Sequence, residues 1–145
     1  MGAEGMVHAL HQIYDHLKPG CYLIDIHPSG DPPPIDVRLG QQVHRVGWIN
    51  EEDDYIEYTQ ADEALAEAVR RGWYKVNQAE RFAFTTYADT MAELLAHLAD
   101  TWPDARVAER TSQQVCDLLN SIEPDREIIV REWIKITCLE KVARP

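Results

Sequence analysis

The sequence predicts an α/β chain of the α+β kind, in which helices lie on a mixed sheet that carries an inserted antiparallel meander. Three observations lead there. Apolar residues recur at helical spacing over 6–17 and in three later stretches, a near-continuous apolar run of strand length spans Cys21 to His27, and 127–139 reads as the clearest strand, with a largely apolar face. With 45% hydrophobic and 27% charged residues, 145 residues suffice for one domain with a buried core, which excludes disorder, collagen and low-complexity fibre.

The first helix is expected where Met6, Leu10, Ile13, Tyr14 and Leu17 form one stripe, with Pro19-Gly20 stopping it. The run Cys21 to His27 reads as a strand covered on both faces. Four prolines within 28–34 remove backbone donors and fix φ, so that segment is expected to be an extended loop. Ile35 to Leu39 and Val43 to Ile49 read as strands around Gly40, and Tyr55 to Tyr58 as a third after the acidic turn 50–54. Together, 28–58 makes an inserted loop and meander within a single domain, 1–145. Thr59 is placed to cap a helix bearing Ala61, Leu65, Ala68 and Val69, with Asp62 in its first turn and Gly72 at its end. Arg81 to Thr85 alternates as a strand, Asp89 begins a helix that runs to Trp102, and Ala105 to Ala108 is a short strand. Thr111 with Gln114 matches a capping box ahead of a helix whose apolar face is Val115, Leu118, Leu119 and Ile122. In the last strand Ile128, Val130, Glu132, Ile134, Ile136 and Cys138 share one face. Glu132 is the one charged residue there, so a bulge, an arginine partner or a pocket must accommodate it.

Charge and motif content narrow the function. Fourteen Lys+Arg against twenty-five Asp+Glu leave a net charge of −11, which repels phosphate backbones and anionic lipid, so neither nucleic acid nor a membrane is an expected partner. The sequence carries no apolar run of membrane length and no signal-peptide pattern, and a soluble cytoplasmic protein is expected. Cys21, Cys116 and Cys138 have no paired spacing and are expected as reduced core thiols. Seven scattered glycines include no G-x-G pair and no Gly-Lys, no serine lies in a G-x-S-x-G elbow, and no H-E-x-x-H occurs. His8, His11 and Asp15 share a helical face opposite the apolar stripe. That face is expected to point to water rather than to hold a metal.

The passage formed by the first helix, Leu17-Lys18-Pro19-Gly20-Cys21 and the strand ending in Asp25-Ile26-His27-Pro28 resembles the post-core segment of class I S-adenosylmethionine-dependent methyltransferases. In that family an L-K-P-G-G turn feeds the fifth strand of a seven-strand Rossmann-like sheet. The chain then finishes with a helix and an antiparallel final pair of strands. The second glycine of the turn is here Cys21, and the strand 127–139 resembles the antiparallel strand inserted beside the fifth. The resemblance implies a partial Rossmann-like methyltransferase sheet. The family's Gly-rich cofactor loop and the acidic end of its second strand have no counterpart in the sequence. The expectation is a truncated or split methyltransferase-related chain that neither binds S-adenosylmethionine nor transfers methyl alone, the cofactor entering only with an upstream half. The alternative is a non-enzymatic ligand-binding or interaction module. In either case Tyr22, Leu23, Ile24 and Ile26 would stand on an exposed sheet edge unless a second copy, an upstream half or a meander strand covers it; a homodimer is expected.

The candidate catalytic residues are His27, Asp25 and His44, because loops leaving the carboxyl ends of parallel strands bind ligands in open α/β sheets and a carboxylate can orient an imidazole for acid–base work. Asp25 and His27 can equally satisfy local backbone at a strand end. Asp31, Trp48, Tyr55 and Tyr58 are the candidate substrate-binding residues, the aromatics either walling a cavity or serving as core.

Overall fold

Helix α1 (Ala3–His16) opens the chain in the computed structural model, which describes residues 2–53 and 55–144. Strands β1 (Tyr22–Pro28), β2 (Pro34–Leu39), β3 (Gln42–Trp48) and β4 (Asn50–Glu51) follow, then α2 (Ile56–Arg70), β5 (Tyr74–Ala88), α3 (Met91–Thr101), β6 (Ala105–Arg106), α4 (Glu109–Leu119) and β7 (Arg126–Lys141). The fold is mixed α/β with antiparallel pairing, and β7 is its most connected strand. Residues 134–140 of β7 pair antiparallel with β1, residues 126–130 pair antiparallel with β2, and β5 also pairs with β7. Contacts gather in two compact units. The first holds Met1–Gly30, Tyr55–Phe82 and Trp133–Pro145; the second holds Asp31–Asp54 and Ala83–Glu132.

In the first unit, Tyr14, Ala68, Tyr74 and Leu139 form the buried core, flanked by Leu10, Leu17, Leu23 and Leu65. The stripe of α1 is centred on Tyr14, whose hydroxyl donates to the Val142 carbonyl at 2.8 Å; Ile13, expected on that stripe, is rotated outward. Tyr74 packs edge-on against Tyr14 with ring centroids 5.8 Å apart and donates to the Leu10 carbonyl at 2.8 Å. Burial, with Tyr14 and Asp15 nearby, pushes the Tyr74 hydroxyl up to about 12. Gly20 takes φ +79 in the turn that delivers β1, a conformation glycine adopts without steric penalty, and Gly72 at φ +78 closes α2 as its position predicts.

In the second unit, Ile35, Val37, Met91, Leu94, Val115 and Ile128 lead the core. β2 and β3 form the expected hairpin, with the buried Asp36 paired across it to Arg45 at 3.0 Å. Thr90 caps α3 by accepting from the Glu93 N–H, and the Glu93 carboxylate accepts from the Asp89 N–H. This is a reciprocal cap one residue beyond the expected start.

Five elements differ from the sequence reading. β1, expected to be covered on both faces, leaves Tyr22, Ile24 and Ile26 exposed on one of them. Tyr55 to Tyr58 is a turn leading into the first residues of α2, not a third meander strand. Tyr55 turns the chain at φ 64, its carbonyl accepts from the N–H groups of Tyr58 and Thr59, and α2 therefore starts before Thr59, which lies inside it. The short strand before it, β4, pairs instead with β6; Asp54 of the acidic turn lies outside the described residues. α4 starts after Ala108, so Thr111 is no cap: its side chain lies over Gly47 of β3, and Ile122, expected on the helix's apolar face, lies beyond the helix and is fully exposed. β5 is three times the expected length, because β7 supplies a partner that local alternation does not reveal.

Candidate functional site

In the first unit, β1 and β7 form an unbroken ladder from Tyr22 opposite Glu140 to Pro28 opposite Ile134. That register sets His27 opposite Lys135, two cationic side chains on one face. A carboxylate from α2 separates them. Asp62 Oδ1 lies 2.8 Å from His27 Nε2, and Asp62 Oδ2 accepts from Lys135 Nζ at 2.7 Å. On its other side, His27 Nδ1 lies 2.5 Å from Asp25 Oδ2. Asp25, His27, Asp62 and Lys135 thus form a chain of alternating charge that ties helix α2 to both strands.

Both ring nitrogens of His27 face carboxylate oxygens. A neutral imidazole has one N–H and would leave a lone pair against an oxygen, whereas the imidazolium donates to both. The hydrogen bond with Asp25 raises the His27 pKa above its ordinary value, burial opposes it, and Asp62 adds to the rise. For Asp62, burial pushes upward, but the hydrogen bonds from Lys135 and His27 hold its carboxyl below the usual range. With a carboxylate oxygen at each ring nitrogen, the His27 imidazolium can join Asp25 and Asp62 as an electrostatic clamp.

The clamp borders a cavity of about 750 Å³ whose wall includes Asp62 and Lys135 with the apolar Leu65, Val69, Val76 and Leu139. Arg81, at the same cavity, stacks its guanidinium 4.9 Å from the centre of the Trp133 ring.

The sequence-selected residues divide between the units. Asp25 and His27 stand together in the first; Asp31 and His44 belong to the second, where His44 sits on β3 opposite Val37. Trp48, half exposed, lines a cavity of about 700 Å³ in the second unit with Arg45, Arg110 and Gln114. Tyr55 and Tyr58 lie at the start of α2 with ring centroids 6.0 Å apart, and Tyr55 is buried. Asp62 and Lys135 complete the clamp and were missed: Asp62 read as a helix-dipole residue, and only the β1–β7 register brings Lys135 to His27. In the second unit, burial raises Glu132 above the ordinary carboxylate range, with His97 opposing that rise. In α1, His11 packs on Trp73 with centroids 4.5 Å apart, while His8 is exposed. No protein-family model, curated protein or solved structure matches this chain.

Proposed function

We propose that this chain is the later half of a class I S-adenosylmethionine-dependent methyltransferase-like fold and that, alone, it neither binds that cofactor nor transfers methyl. One observation carries the reading: the order of elements around β1. Helix α1, the Pro19-Gly20 turn and β1 run in sequence, helix α2 follows after the inserted strands β2 to β4, β7 lies antiparallel beside β1, and β5 pairs with β7. That is the arrangement the resemblance implies for a fifth strand followed by a helix and an inserted final strand pair. The glycine positions support the cofactor half of the reading. Among the described residues, the glycines at positive φ are Gly20, Gly40 and Gly72, each in a separate turn, and they form no loop through which backbone N–H groups approach a nucleotide-like ligand. Calorimetric titration of the chain with S-adenosylmethionine tests this; no binding heat is expected, and micromolar affinity would overturn it.

A second reading is favoured by two other observations. The His27 ring has both nitrogens engaged, and among the described residues β1 pairs with β7 alone, which leaves its other edge open. On that reading the chain is a non-enzymatic interaction module that associates through β1.

A further inference from the structure

We infer that two copies of this chain pair antiparallel through the open edge of β1, centred on Ile24; this deepens the second reading above and rests on it. Among the described residues, β1 pairs with β7 alone. The Lys141 N–H donates to the Cys21 carbonyl at 3.0 Å and the Ser29 N–H donates to the Trp133 carbonyl at 2.7 Å. Hydrogen-bonded pairs alternate along an antiparallel ladder. Over the unbroken register between those two bonds, Leu23, Asp25 and His27 therefore address β7, while Tyr22, Ile24 and Ile26 aim their N–H and C=O groups at the open edge. Their side chains share one face and are 52%, 52% and 59% exposed. Edge strands are ordinarily protected by a lysine, a proline or a bulge. None interrupts 22–27, and the strand's two charged side chains, Asp25 and His27, are held in the clamp on the opposite face.

The same ladder selects a register. Centred on Ile24, the pairing sets Tyr22 opposite Ile26 at both ends and Ile24 opposite its own copy, so that every outward amide finds a carbonyl, giving about six hydrogen bonds between copies. Centred on Asp25, it would set two carboxylate-bearing residues face to face and Tyr22 opposite Pro28, which has no N–H to give. Centred on Leu23, it would set Ile26 opposite Gly20, whose φ of +79 has already left the strand. A slip of one residue would oppose outward-facing groups with inward-facing ones. Because each copy carries a net charge of −11, the copies repel, and association must strengthen as salt screens them; a basic partner would show the reverse.

Light scattering of the full chain at about 100 μM, in low and in roughly 0.5 M salt, tests the pairing. The expected mass is twice 16.6 kDa, with the dimer fraction rising with salt. Ile24→Lys sets two ammonium groups together on the axis and is expected to give a monomer with an unchanged far-UV spectrum. Tyr22→Lys and Ile26→Glu, each disruptive alone, are expected to restore the dimer when combined, because the Ile24 register sets Lys opposite Glu twice. A monomer under all conditions overturns the inference, as it would if an upstream half or an unrelated partner is the occupant. A dimer that survives Ile24→Lys places the contact elsewhere, and a double variant that stays monomeric overturns the register. The outcome is independent of cofactor titration: a monomer that binds no S-adenosylmethionine sinks the pairing and leaves the methyltransferase-like reading standing.

Discussion

Replacing Asp62 by Asn keeps the shape of the clamp and removes the charge that joins His27 to Lys135. Hydrogen bonds to charged groups contribute about 1.5–3 kcal/mol when sheltered, and exposed ion pairs about 0–1 kcal/mol. The His27 side chain is 11% exposed, whereas those of Asp62 and Lys135 are 38% and 37% exposed, so the Lys135 contact belongs to the weaker class and the His27 contact to the lower end of the stronger one. The amide oxygen still accepts one bond, which leaves an expected loss of about 1–2 kcal/mol, or roughly 3–6 °C in melting temperature for a chain of this length. The loss must depend on pH. His27 is raised in the folded state, so its contribution is fully present below its unfolded value near 6.5 and disappears as pH rises through the folded value. Asp62 is lowered, so its contribution is present above the ordinary carboxylate value of 3.8 and disappears as pH falls through the folded one. The difference between parent and variant is therefore largest near pH 6 and smaller at alkaline pH, above the folded His27 value, down to the residual Asp62–Lys135 pair. Chemical denaturation at both pH values measures it, and an NMR titration of the His27 ring should show a lower pKa in the variant. A His27 pKa that does not move on substitution, or a stability difference independent of pH across that range, would refute the clamp.

Other outcomes follow from the second unit. Burial raises Glu132, so ionising it weighs against the fold. Glu132→Gln should stabilise the chain at neutral pH, and the gain should vanish as pH falls below the ordinary glutamate value of 4.5, measured by urea unfolding at both pH values. A Cβ on Gly47 would lie 2.7 Å from Thr111 Oγ1 and 2.8 Å from Thr111 Cγ2. Gly47→Ala should therefore destabilise by about 1–3 kcal/mol, and adding Thr111→Ala should recover most of that loss, a non-additivity that a double-mutant cycle reads directly.

What the sequence revealed and what it hid divides along physical lines. α1 and β7 were legible because their apolar pattern is long and is set by residues within the element itself; β1 was legible as a strand, but its continuous apolar run suggested cover on both faces, where one face is exposed. Tyr55 to Tyr58 was not, because four residues with aromatics at each end fit a strand as well as a first helical turn. The choice was made by Tyr55 adopting a left-handed φ and by Ala64 and Ala68 finding a buried face. Thr111 carried a capping-box pattern that lost to packing over Gly47, a contact between residues far apart in sequence. The site shows the same limit. Asp25 and His27 sit two residues apart and on the same side of one strand, so their pairing was readable. Asp62 and Lys135 reach His27 only through the fold, one from a helix 35 residues on and the other from across the ladder.

Both functional readings require that β1 present an unpaired edge to whatever strand comes next. Residue-resolved hydrogen–deuterium exchange of the full chain as a function of concentration measures that edge. At high dilution the amides of Leu23, Asp25 and His27, turned toward β7, should exchange slowly and those of Tyr22, Ile24 and Ile26 quickly. Protection of the second set should then grow as concentration rises. Slow exchange of Tyr22, Ile24 and Ile26 even at high dilution would mean that the chain already covers its own edge, and would contradict the account.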